Sequence, residues 1–181
     1  IQSFIINETG DLTIRQNAND KDIIFECDNS SGGVATYFKL DGSEVLNRFF
    51  VNVLHQDSVE SMWGTGLDLK IKHDGSNSFI RNFTGDLYIR NAADDKDIIF
   101  QSDDGSGGVT TYFKLDGSVT QTIFEKNVRF LDTIELRLGT SNDLRIYHNG
   151  TNSNIENFNG TLQIVQTVDD EDIVFRCDDG S

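Results

Sequence analysis

The chain has no proline and only two cysteines, one tryptophan and one methionine in 181 residues. It holds 15 Lys+Arg against 30 Asp+Glu, for a net charge of −15. Each shortage excludes something. Two cysteines, Cys27 and Cys177, cannot frame a disulfide scaffold. The shortage of cations speaks against binding nucleic acid through its phosphates, and equally against docking on anionic membranes. No apolar run approaches the roughly 18 residues of a membrane-spanning helix, so no membrane insertion is expected. The first residue is Ile1 rather than Met, inside a strand-like pattern, which reads as a piece of a longer chain. The absence of proline suits a chain whose amides are largely used in β-ladders.

The main positive signal is a repeat. GDLTIRQNANDKDIIFECDNSSGGVATYFKLDGS starts at Gly10, GDLYIRNAADDKDIIFQSDDGSGGVTTYFKLDGS at Gly85 and GTLQIVQTVDDEDIVFRCDDGS at Gly160, a period of 75 residues. The remainder of the unit recurs in the same phase, with GTGLDLKIKHDGSNSFIRNF from Gly64 and GTSNDLRIYHNGTNSNIENF from Gly139. The chain thus divides into a partial copy over 1–42, a complete copy over 43–117 and a partial copy over 118–181. A fixed period without insertions predicts units that must meet their neighbours in register.

The pattern within each copy is β, and the fold class expected is all-β. Leu12-Thr13-Ile14, Leu87-Tyr88-Ile89 and Leu162-Gln163-Ile164 alternate, as do Leu69–His73, Leu144–His148 and Ile134–Leu138. Asp74-Gly75, Asn149-Gly150, Asp41-Gly42 and Asp116-Gly117 read as hairpin turns of the two-residue kind, which place glycine at positive φ. No ten-residue helix is predicted, Ser43–Gln56 being the most ambiguous stretch. The core expected from strand phase is Leu12, Ile14, Ile23 and Phe25, then Leu69, Ile71, Leu87, Ile89, Ile98 and Phe100, then Leu144, Ile146, Leu162, Ile164, Ile173 and Phe175, with turns at Gly42, Gly75, Gly117 and Gly150. Short strands apolar on one face cannot bury that face alone. Burial then has to come from neighbouring units or from other chains, and either solution makes an elongated repetitive fibre of short strands and hairpins.

LGTSNDLRIYHNGTNSNIENF (138–158), GDLYIRN (85–91) and DIIFQSDDGSGGVTTYFKLDGS (97–118) resemble repeats in tail-fibre and virion structural proteins of tailed bacteriophages, especially those infecting marine cyanobacteria. The resemblance covers essentially the whole chain. It implies a non-enzymatic shaft of a virion appendage, assembled in the host cytoplasm and built as an intertwined homotrimeric β-shaft, with a single-chain β-solenoid as the alternative. Other tail proteins would be its partners, and it would project a distal receptor-binding tip, lying beyond these residues, to the host surface. It carries over no catalytic residue. A carbohydrate-binding or depolymerising fibre module, or a bacterial surface adhesin of solenoid type, is the alternative.

No cofactor is expected. His73 and His148 hold equivalent places before the turn glycines, and three copies about one axis could ligate a metal. The plainer reading is a ring hydrogen-bonded to a neighbouring strand. The acidic runs at Asp20–Asp22, Asp94–Asp97, Asp103-Asp104, Asp169–Asp172 and Asp178-Asp179 could take Ca²⁺, but their spacing matches no Ca²⁺ loop, and turn solvation accounts for them. Cys27, Ser102 and Cys177 share one position, which suits a small residue at a crowded spot. Tyr37 and Tyr112, recurring in YFKLDG, are expected at a cross-strand aromatic position, and Trp63 replaces Leu138 as a packing variant.

Overall fold

The structure is a computed structural model that describes residues 2–178. It is all-β. Among the described residues twelve strands form four three-stranded antiparallel sheets, each a meander of sequence neighbours. Sheet one comprises β1 (Ile23–Asp28), β2 (Val34–Asp41) and β3 (Leu46–Phe49). Sheet two comprises β4 (Ser61–Trp63), β5 (Leu69–His73) and β6 (Ser78–Asn82). Sheet three holds β7 (Ile98–Asp103), β8 (Val109–Asp116) and β9 (Gln121–Phe124), and sheet four β10 (Leu136–Leu138), β11 (Leu144–His148) and β12 (Ser153–Asn157). Among the described residues there is no helix and no closed barrel; Ser43–Gln56, the stretch of ambiguous pattern, contains β3. Among the described residues no helix is long and apolar enough to cross a membrane. Two compact units divide between Tyr88 and Ile89, the first carrying sheets one and two and the second sheets three and four.

Positions 75 apart carry the same register. Ile23 faces Leu40 and Phe25 faces Phe38 in sheet one, as Ile98 faces Leu115 and Phe100 faces Phe113 in sheet three. Both sheets bulge at one place. Phe25 pairs with Phe38 and Glu26 with Thr36, so Tyr37 has no opposite residue; Tyr112 is left out in the same way. The tyrosines are therefore bulge residues rather than members of a cross-strand aromatic pair. Their hydroxyls donate to the carbonyls of Asp28 and Asp103 at 3.1 and 3.0 Å, which ties the bulge to the far end of the neighbouring strand. The bulge also keeps Ala35, opposite Cys27, on the face of Phe25 and Phe38.

The turns differ from the two-residue expectation. The β5–β6 loop is four residues, Asp74–Asn77, and only Gly75 has positive φ, at 97°. Asp74 closes it by accepting from the amides of Ser76 and Asn77 at 3.0 and 2.8 Å. Asn149 does the same for Thr151 and Asn152, with Gly150 at φ 92°. A short polar side chain that caps its own loop substitutes for the second left-handed residue of a tight turn. Gly42 and Gly117 open four-residue turns, in which positive φ falls on Val45 and Thr120 instead. Glycine is needed there because a Cβ would collide with the backbone carbonyl oxygen of Lys21 or Lys96.

Half of the expected core positions lie outside any strand. Ile23, Phe25, Leu69, Ile71, Ile98, Phe100, Leu144 and Ile146 sit in ladders; Leu12, Ile14, Leu87, Ile89, Leu162, Ile164, Ile173 and Phe175 do not. The segments around Leu12, Leu87 and Leu162 keep strand-like alternation but meet no partner edge within one chain. Ile173 and Phe175 likewise have no strand partner among the described residues. Many amides are accordingly outside the ladders that the absence of proline suggested. Nor is there a core inside the chain. The one buried residue among those described is Asp41, and no hydrophobic side chain is buried.

Candidate interaction surfaces

The strand registers sort side chains onto two faces. One face of sheet one carries Ile23 and Leu40, the aromatic row Phe25–Phe38–Phe49, and Cys27 with Ala35. Phe25 and Phe38 stack at 4.3 Å between ring centroids, and Phe49 tilts against Phe38 at 5.9 Å. Sheet three repeats the row as Phe100–Phe113–Phe124, at 4.4 and 5.8 Å. Sheets two and four present Trp63, Leu69, Ile71 and Ile80, and Leu138, Leu144, Leu136, Ile146 and Ile155 respectively. On sheet four Leu136, Ile146 and Ile155 line an open groove of about 480 Å³ together with Phe130.

These faces are uncovered. Phe49 is 60% exposed, Phe124 57% and Ile155 60%. The chain as a whole shows 16056 Å² to water. Each sheet thus presents an apolar row to water.

The opposite face of sheets one and three is charged, and its organisation was not read from the sequence. Lys39 lies between Asp22, at 2.7 Å, and Asp41, at 3.1 Å, and Arg48 reaches Asp41 at 2.6 Å. In sheet three Lys114 bridges Asp97 and Asp116 at 3.0 and 2.9 Å. Asp22 and Asp97 also accept the amides of Gly42 and Gly117 at 3.0 and 3.1 Å, which locks the following turn to the start of β1 or β7. The available signal was the pairing of Lys and Asp two residues apart in both copies of YFKLDG, the spacing that puts them on one strand face.

This network sets a pH dependence. The Ser43 hydroxyl and the Lys39 ammonium hold the Asp41 carboxyl far below the usual aspartate range, and Lys114 with Ser118 does the same to Asp116. Asp22 is lowered chiefly by Lys39. The lysines move upward, Lys39 through Asp22 and Asp41, and Lys114 through Asp116 and Asp97. Carboxyls lowered in the folded state contribute stability that is complete above the ordinary aspartate value of 3.8 and is lost as pH falls through the folded values. Raised lysines contribute fully below 10.5 and lose their effect as pH rises through their folded values. Thermal melts should show a plateau bounded by these limits, with the acid limb shallower in Asp41→Asn and Asp116→Asn. An acid limb identical to wild type in both variants would rule the network out as its source.

His73 and His148 lie on the apolar faces, each with Nδ1 3.2 Å from the hydroxyl of the residue opposite, Ser78 or Ser153. The rings are thus engaged with the neighbouring strand. Among the described residues no three metal-ligating side chains gather within one chain. Asp104 spends its carboxylate on its own loop, accepting from Ser106 and Gly108 at 2.8 and 3.0 Å. The Asp178-Asp179 pair lies partly outside the described residues. Cys27 and Cys177 are free thiols, both exposed. Trp63 pairs with Leu69 as Leu138 pairs with Leu144, in keeping with a packing variant.

Comparison with protein-family models, with curated proteins and with solved structures found no match.

Proposed function

We propose that this chain is a shaft segment of a fibrous virion appendage, a phage tail fibre or its equivalent, in which several copies cover one another's apolar faces. The observation that carries the reading is the set of uncovered sheet faces, each with an apolar row and none with a buried centre. A chain that leaves so much apolar area in water gains from burying it against copies that present the same rows in the same register. The alternating segments around Leu12, Leu87 and Leu162, which meet no strand edge at home, would supply further strands between copies. A homotrimer is the proposed assembly, and the work done is mechanical: spanning distance to a distal tip that meets the host surface. The virion assignment, with other tail proteins as partners, assembly in the host cytoplasm and the absence of catalysis, rests on the resemblance of residues 85–91, 97–118 and 138–158 to tail-fibre repeats.

All eight strand pairings among the described residues are antiparallel and join sequence neighbours. Stacked solenoid rungs pair in parallel, so this pattern favours the multi-chain shaft over a single-chain coil. Light scattering tests the proposal directly. About three times the chain mass of 20.3 kDa is expected. A compact monomer at every concentration would overturn it.

A further inference from the structure

The chain has two Asn-Gly steps, Asn149-Gly150 and Asn159-Gly160, and both continue into Thr. A glycine after asparagine carries no Cβ to shield its backbone nitrogen, which can then attack the asparagine carboxamide. The structure treats the two steps differently. Asn149 stands exposed in the β11–β12 loop, its Oδ1 accepting from the amides of Thr151 and Asn152 at 2.9 and 2.7 Å. The bond to Thr151 closes a ring that contains both Cγ of Asn149 and the Gly150 nitrogen, and the two donors together polarise the carbonyl, which makes Cγ more electrophilic. Among the described residues neither the Asn149 carboxamide nitrogen nor the Gly150 amide makes a hydrogen bond. At the second step Asn157 intervenes. Its Nδ2 donates to the backbone carbonyls of Asn159 and Gly160 at 3.1 and 2.8 Å, which holds the peptide plane that contains the Gly160 nitrogen.

We propose that Asn149 is a site of spontaneous deamidation in the folded protein, that its loop accepts the aspartyl product as built, and that Asn157 protects Asn159 from the same reaction. The Gly150 nitrogen bonds to Cγ of Asn149, and the carboxamide nitrogen leaves as ammonia, carrying away the amide proton. Water then opens the five-membered imide at either carbonyl, giving aspartate or isoaspartate. The loop 75 residues earlier already carries the aspartate. Asp74 accepts from the amides of Ser76 and Asn77 at 3.0 and 2.8 Å, the two bonds that Asn149 makes, and the Asn77 and Ser76 amides hold its carboxyl below the usual aspartate range. A carboxylate is the stronger acceptor for those amides. Isoaspartate has no such precedent. It routes the main chain through Cβ and lengthens it by one atom, which disturbs the bond from the Asn149 amide to the Asn152 carbonyl at 3.0 Å and the pairing of His148 with Ser153 beside it. The inference concerns a hairpin tip of one chain and does not depend on the shaft reading.

The test incubates the folded chain at mildly alkaline pH, which deprotonates more of the attacking amide, and follows both steps by mass spectrometry after cleavage at Glu156, which separates them. Asn149 should convert about tenfold faster than Asn159, the difference expected when the bonds from Asn157 must break first. In urea the two rates should converge, because Asn-Gly-Thr is the local sequence at both. Asn157→Ala should raise the Asn159 rate in the folded chain and leave that of Asn149 alone. Equal rates in the folded wild type, or an Asn149 that stays intact while both steps convert in urea, would overturn the assignment. An Asn159 rate unchanged in Asn157→Ala would overturn the protective role. Asn149→Asp, which is the aspartyl product itself, should melt within about 2 °C of wild type. A larger fall would show that the loop does not accept the carboxylate and overturn that part of the proposal.

Discussion

Phe113→Ala should convert the assembled protein to smaller species and lower the melting temperature of whatever assembly survives. Phe113 is the middle ring of its row, stacked on Phe100 and touched by Phe124. Within one chain the change removes only these ring contacts, worth about 0.5–1.5 kcal/mol per pair. In an assembly that covers the row, the same truncation leaves a cavity and forfeits burial, about 3–5 kcal/mol per chain. The two situations differ enough to be separated by light scattering and thermal melts together. Val109→Ala is the control, since Val109 is 70% exposed at the start of the same strand and off the aromatic row. If Phe113→Ala keeps the wild-type mass and melts with Val109→Ala, the aromatic face is open to water in the working molecule and the shaft proposal loses its main support.

Gly117→Ala should destabilise the protein more than a glycine change made where only the backbone angle is unusual. A Cβ at Gly117 meets the carbonyl oxygen of Lys96, and backbone cannot swing aside as a side chain would. Moving the turn outward would also break the Gly117 amide's bond to Asp97 at 3.1 Å, and with it the link from the turn to the Asp97–Lys114–Asp116 network. Overpacking of this kind costs about 1–3 kcal/mol before that loss. Each kcal/mol lowers the melting temperature by about 2–4 °C in a chain of this length. Gly85, at φ 62° with open space around it, is the comparison. Gly85→Ala bears only the left-handed backbone penalty, about 1 kcal/mol. A Gly85→Ala melt as low as that of Gly117→Ala would show that conformation, and not the Lys96 contact, selects glycine at this turn.

Much of this protein was legible in its sequence because the signals are local. Alternation at Leu69–His73 and Leu144–His148 marks strands whichever neighbours they meet, and Asp74-Gly75 and Asn149-Gly150 mark chain reversals. The bulge at Tyr37 and Tyr112 was not legible. It is a property of the pairing, seen only when β1 is laid against β2 and one residue is left over. For the same reason Gly42 and Gly117 looked like residues chosen for left-handed φ, whereas a backbone from a distant segment decides them. The Asp22–Lys39–Asp41 network was hidden among 30 acids, since composition cannot say which carboxylate a fold carries to which ammonium.

By itself the sequence determined the all-β class, the 75-residue period and the two-faced character of the strands, because each depends on residue order over a few positions or on simple recurrence. The tertiary structure decided which alternating segments pair within the chain and which do not. It placed Ile23, Phe25, Ile98 and Phe100 in ladders and left Leu12, Leu87 and Leu162 outside them. It also decided that the apolar rows close on nothing within the chain. The reason is physical: alternation specifies that a face is apolar, but burial depends on a second surface, and only three-dimensional placement shows whether the chain supplies one.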